Sequence, residues 1–113
     1  MQLEIDSHVI EFCGCMEICQ GGPEACDLLI DGMPIEGRFD PSPLHFEGMI
    51  LVPKRKISFL KSGYVLVAID PNTGRTKVLS KIFGYMRLVR IEDRIVEFAS
   101  TAWGDETAHY RLP

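Results

Sequence analysis

Positive charge is almost missing from the first fifty residues. Arg38 stands alone there against ten acids, Glu4, Asp6, Glu11, Glu17, Glu24, Asp27, Asp31, Glu36, Asp40 and Glu47, a net charge of −9. The remaining residues hold eleven bases and six acids, so the overall charge of −4 conceals two halves of opposite sign. An acidic total speaks against a nucleic-acid binder, whose footprint is normally a basic surface. Also missing is any apolar run near the roughly 20 residues that carry a helix across a bilayer, and no membrane partner is expected. The chain opens Met1-Gln2-Leu3-Glu4-Ile5-Asp6, acidic where an export signal carries a basic head, so a cytoplasmic protein is expected.

Catalytic signatures are missing too. The sequence holds no G-x-S-x-G, no H-E-x-x-H, no phosphate-binding P-loop and no dinucleotide glycine fingerprint. Nucleophilic, metalloprotease, phosphoryl and hydride chemistries therefore lack support, and a non-enzyme is expected. His8, His45 and His109 lie near turns or strand ends, where each could pair with an acid; without a motif around them, structural or surface roles are expected. Cys13, Cys15, Cys19 and Cys26 have the spacing C-x-C-x3-C-x6-C, without the paired C-x2-C knuckles of zinc sites. They read as free thiols in a reducing compartment, with Cys13 and Cys15 facing one way on a strand, and no metal or cofactor is expected.

What the sequence does have is turns. Its 113 residues suffice for one core, and a single domain over 1–113 is the expectation. Tyr64-Val65-Leu66-Val67-Ala68-Ile69 is an apolar, β-branched run of the kind buried on both faces, hence the central strand. It ends in Asp70-Pro71-Asn72-Thr73-Gly74, where Pro presets φ and Gly74 can turn left-handed, so the chain should return along 75–82. A two-residue turn at Glu92-Asp93 would put Val89 opposite Val96 and Arg87 opposite Phe98, with Tyr85, Val89, Ile91, Val96 and Phe98 on a core face. Thr107 to Leu112 reads as an edge strand.

The first half is less regular. Leu3 to Ile5 and Val9 to Cys13 read as strands around Asp6-Ser7-His8, Asp31-Gly32 as a hairpin turn, and Phe46 to Val52 as a strand. The prolines of Phe39-Asp40-Pro41-Ser42-Pro43-Leu44 keep that stretch extended or turning. Only Cys15 to Cys26 has room for a helical turn, which Gly21-Gly22-Pro23 would stop. The fold class is all-β with little or no helix, an antiparallel hairpin meander forming a β-sandwich or a partly open barrel.

Two charged regions are candidates for binding. If Glu24, Asp27, Asp31, Glu36, Asp40 and Glu47 share a surface, their field attracts a basic partner; the alternative is that they pair with the basic second half across the fold. Lys54-Arg55-Lys56 and Lys61, with Phe59 and Tyr64 nearby, form the one cluster suited to a phosphate backbone, as on a small β-barrel nucleic-acid module.

The run from Gly63 to Arg75 looks like the inner hairpin of a β-propeller blade, but 113 residues are too few for a propeller. More broadly, Gly21-Gly22-Pro23, then Leu44-His45-Phe46-Glu47-Gly48-Met49-Ile50-Leu51-Val52-Pro53, then that hairpin, resembles small all-β immunity proteins of bacterial polymorphic toxin systems, of the contact-dependent growth inhibition or Rhs type. That resemblance implies a stoichiometric inhibitor of a cognate toxin domain, often a basic nuclease such as a ribonuclease, whose phosphate-binding surface an acidic face would mimic.

Overall fold

The computed structural model describes residues 1–17 and 24–113, and for Glu17 the backbone alone. Eleven strands account for it: β1 (Gln2–Ile5), β2 (His8–Glu17), β3 (Glu24–Ile30), β4 (Met33–Phe39), β5 (Leu44–Phe46), β6 (Met49–Ile57), β7 (Ser62–Ile69), β8 (Thr76–Val78), β9 (Arg87–Glu92), β10 (Ile95–Ala99) and β11 (Thr107–Arg111). No helix occurs among the described residues, so no helix there could cross a membrane. The expected helical turn gives way to strand at Cys15–Glu17 and at Glu24–Cys26; the rest of that stretch lies outside the described residues.

The fold is all-β. Eight strands form one antiparallel sheet in the order β1-β2-β3-β4-β6-β7-β8, with β5 also paired to β6, and this sheet curls into a half-barrel. A second sheet, β11-β10-β9, is separate. Four hairpins turn on two residues that both have positive φ: Asp6-Ser7, Asp31-Gly32, Glu47-Gly48 and Asp93-Arg94. This left-handed geometry matches the twist of the strands it joins, and short polar residues tolerate it best.

Strand β7 is the expected central strand, and its alternation explains both layers. Val65, Val67 and Ile69 face the concave side of the half-barrel with Ile10, Phe12, Leu28, Ile35 and Ile50. Tyr64, Leu66 and Ala68 face the other way and, with Leu51, meet Met86, Leu88, Val96 and Phe98. The small sheet thus covers the outside of β6 and β7. Each buried Val or Leu side chain contributes roughly 1.5–3 kcal/mol, so a strand apolar on both faces anchors two cores at once.

Several expectations are corrected. Return strand β8 is only three residues long, and the chain rejoins β7 by one bridge between Tyr64 and Phe83. The second half is therefore not one meander but two pieces in two sheets. The expected strand 46–52 is broken by the Glu47-Gly48 turn, because Glu47 adopts φ of 48° there. The third turn of the second half sits at Asp93-Arg94, one residue later than expected, so Ile91 pairs with Val96 and, beyond a bulge, Leu88 with Phe98. Moving the turn by one residue shifts the register by two and keeps the faces, but the bulge that skips Val89 inserts a single residue and exchanges them. Leu88 is accordingly buried, whereas Val89 is half exposed.

The cysteines also differ from expectation. Gly14, with φ of 59°, opens a bulge in β2 that separates Cys13 from Cys15. Cys13 is a half-buried free thiol, while Cys15 is exposed and bonded to the buried Cys26. A disulfide closing so short a loop stabilises by roughly 2–4 kcal/mol, mainly through the unfolded chain.

Candidate partner-binding surface

The small sheet leaves the outside of β1 to β4 uncovered, and alternation decides what stands there. Leu3, Ile5, Ile10, Phe12, Leu28, Ile30, Ile35 and Phe39 point to the concave core, so their neighbours point out. The outward set on β1 and β2 is Gln2, Glu4, Val9 and Glu11; on β3 and β4 it is Asp27, Leu29, Glu36 and Arg38. Register sets Gln2 beside Glu11 and Glu11 beside Leu29, and Cys13 beside Asp27. Acids therefore occur on all four strands of one face.

Arg38, the one base of this half, is fully engaged. Its Nη1 donates to Asp27 Oδ1 at 2.9 Å, and its Nη2 donates to the carbonyls of Gly14 at 2.9 Å and Ala25 at 2.7 Å. The guanidinium thereby pins the β2 bulge to β3. Glu4, Glu11 and Glu36 have no cation within 4 Å among the described residues, and the same holds for Glu24 at the start of β3. Among those residues, the expected pairing of the acidic half with the arginines and lysines of the basic half occurs only at Glu47, whose Oε1 accepts from Arg94 Nη1 at 2.7 Å.

The six acids singled out in the sequence thus part company. Glu24, Asp27 and Glu36 are exposed on β3 and β4. Asp31 is exposed but clasps a turn: its carboxylate accepts from the His8 ring at 2.6 Å and from Val9 N–H at 2.8 Å. Those bonds, His8 first, hold its carboxyl below the usual range. Glu47 lies in the β5–β6 turn, tied to Arg94. Asp40 is a correction: at 1% exposure it is buried behind β4 and cannot touch a partner. Glu4 and Glu11 were the acids to add, and the signal for them was the alternation with Leu3, Ile5, Ile10 and Phe12.

Asp40 belongs to a buried polar cluster instead. Its Oδ2 accepts from Ser42 Oγ at 2.6 Å, while its Oδ1 and the hydroxyls of Tyr64 and Tyr85 have no hydrogen-bond partner among the described residues. Burial pushes the carboxyl of Asp40 and both phenols above their usual ranges, and Asp40 raises the two phenols further. Since the folded-state pKa of Asp40 exceeds its unfolded value near 3.8, its contribution to stability is full below that value and is lost as pH rises through the folded one. Asp40→Asn, neutral at every pH, is expected to gain on the order of 1 kcal/mol over the parent at pH 7 and nothing at pH 3. Urea titrations at both pH values check this; a variant less stable at pH 7 would contradict it.

Among the described residues, the other groupings of histidine, cysteine and carboxylate side chains are smaller than the acidic face. Cys15, Cys26 and Glu24 converge within 4.8 Å, but the two sulfurs are bonded to each other. His45 Nε2 lies 3.4 Å from Asp6, and His109 shares Glu97 with Arg90. A cleft of about 250 Å³ between Phe46, Met49, Leu79 and Leu112 has Glu47, Lys77 and Arg94 at its rim; ligand pockets generally run from about 300 Å³ upward. Compared with family models, with curated proteins and with solved structures, the chain finds no match.

Proposed function

We propose that the chain is a binding protein that neutralises a basic protein domain, in the manner of an immunity protein acting on a cognate toxin domain such as a basic nuclease. One observation carries this reading: the outward face of β1 to β4 is left open by the second sheet, and Glu4, Glu11 and Glu36 on it have no cation within 4 Å among the described residues. Fixed, uncompensated acids on a rigid sheet form a field that recruits a cationic surface and orients it before contact. Phosphate-binding grooves of nucleases are such surfaces. The proposed location is the cytoplasm, where the Cys15–Cys26 bond would stand open for much of the time; the acidic face is built by strand alternation and does not need it.

The test is co-expression with the basic C-terminal domain of a large exported protein encoded immediately upstream. A co-purifying one-to-one complex and suppressed toxicity are the expected results. Absence of any complex with that domain would refute the reading.

A further inference from the structure

Four of the most exposed large apolar side chains lie in or beside connections toward one end of the molecule. Ile57 (76% exposed) ends β6, Phe59 (101%) and Leu60 (90%) lie in the β6–β7 turn, and Trp103 (88%) stands in the β10–β11 connection. The turn is tightly closed, because Ser58 N–H donates to the Lys61 carbonyl at 3.1 Å and Lys61 N–H donates to Ser58 Oγ at 2.9 Å, so Phe59 and Leu60 occupy its apex. The placement of Trp103 follows from the pairings. Arg94 binds Glu47, fixing the β9–β10 turn at the β5–β6 end, so β10 runs back toward the opposite end, where Ala99 lies beside Arg87. Arg87 in turn neighbours Tyr85, which packs edge-on at 5.8 Å against Tyr64, three residues past Lys61 of the β6–β7 turn.

Behind this apolar apex stands a collar of cations. Lys56, Lys61, Lys81 and Arg87 are exposed, and Arg55 is half-buried with its guanidinium 5.5 Å above the Tyr64 ring. Among the described residues none of these five has an acid within 4 Å, although Asp105 and Glu106 lie in the Trp103 loop.

We propose that this end docks on an anionic membrane surface, with Ile57, Phe59, Leu60 and Trp103 entering the interfacial layer and the collar binding lipid phosphates. The order of groups with depth selects this partner. Phe59 and Leu60 occupy the turn apex, with Lys61 closing the turn and Lys56 and Arg55 farther back along β6, as the acyl boundary lies beneath the phosphates. Indole favours that boundary, and lysine stems reach back from it to the headgroups. A single-stranded nucleic acid stacks its bases on flat rings alongside its phosphates; Phe59 and Trp103 are such rings, but Ile57 and Leu60, exposed as well, offer none, and Tyr64 is buried. Lack of a spanning run has no bearing on a surface contact of this kind. The proposal is independent of the acidic face.

Trp103 is the sole tryptophan and reports directly. The full chain is mixed with phosphatidylcholine vesicles with and without phosphatidylserine. Co-sedimentation and a blue-shifted emission are expected only with phosphatidylserine, weakening as salt rises. Phe59→Ser with Leu60→Ser is expected to reduce vesicle affinity at least ~10-fold, and each of Lys56→Glu and Lys61→Glu about fivefold or more. All four side chains are exposed, so circular dichroism should not change. Unmoved emission without sedimentation would overturn the proposal, as would vesicle binding indifferent to the Phe59 and Leu60 changes. Binding to oligouridylate but not to vesicles would assign this end to nucleic acid instead.

Discussion

Gly63→Ala is expected to cost about 3 kcal/mol or more, from overpacking and from the buried hydrogen bonds it breaks. A methyl group on Gly63 would sit 2.2 Å from the carbonyl oxygen of Phe83 and 3.0 Å from its carbonyl carbon. That obstacle is backbone, and the backbone is held in place: Tyr64 N–H donates to Phe83 O at 2.7 Å, and Phe83 N–H donates to Tyr64 O at 2.8 Å. Relief requires the Ile82–Phe83 segment to retreat from β7. That movement breaks the one bridge rejoining the chain to β7 and withdraws the Phe83 ring from Phe98, 5.0 Å away between centroids. Gly84 is the control, since a methyl there meets nothing within 4 Å. Urea unfolding should show a large drop in midpoint for Gly63→Ala and a change within roughly 0.5 kcal/mol for Gly84→Ala. Equal midpoints would mean that Phe83 is not seated against β7 as described.

The contrast between those two glycines marks how far the sequence could be read. Period-two alternation and turn chemistry are local, and they identified the all-β class, the Asp31-Gly32 turn and the two-faced strand at Tyr64–Ile69. Turn position was less secure. Glu47 and Arg94 carry no turn preference of the Asn or Gly kind, yet both adopt positive φ, and the bulge at Val89, which no local signal announces, puts Leu88 rather than Val89 in the core.

What was not legible is tertiary. Charge counting cannot tell a carboxylate on an open face from one under a second layer, so Asp40 and Glu36 looked alike until the sheets were placed. Arg38 shows the same limit: its three hydrogen bonds reach from β4 over β3 to the bulge of β2, a pairing set by the Gly14 bulge. The Cys15–Cys26 bond depends on that bulge too, because it turns Cys15 away from the side Cys13 occupies.

Reversing the charges of the open face should slow association with a basic partner far more than it disturbs folding. Glu4, Glu11 and Glu36 suit this test better than Asp27, which Arg38 needs, or Asp31, which holds a turn. The combined change Glu4→Lys, Glu11→Lys and Glu36→Lys alters net charge from −4 to +2. Steering by charge raises association rates by about 10 to 10³-fold, so at low ionic strength the rate with the co-purifying partner should fall by about 100-fold. The deficit should shrink as salt shortens the screening length to about 8 Å near 0.15 M. Dissociation should change less, since rim charges act mainly on approach. Folding stability should stay within roughly 0.5 kcal/mol, because these side chains have no ion pairs to lose. Glu92→Lys with Asp105→Lys, on the second sheet and its loop, serves as the comparison. Stopped-flow association at several salt concentrations separates the two sets: if the β1–β4 reversals slow association no more than the comparison pair, the partner binds elsewhere.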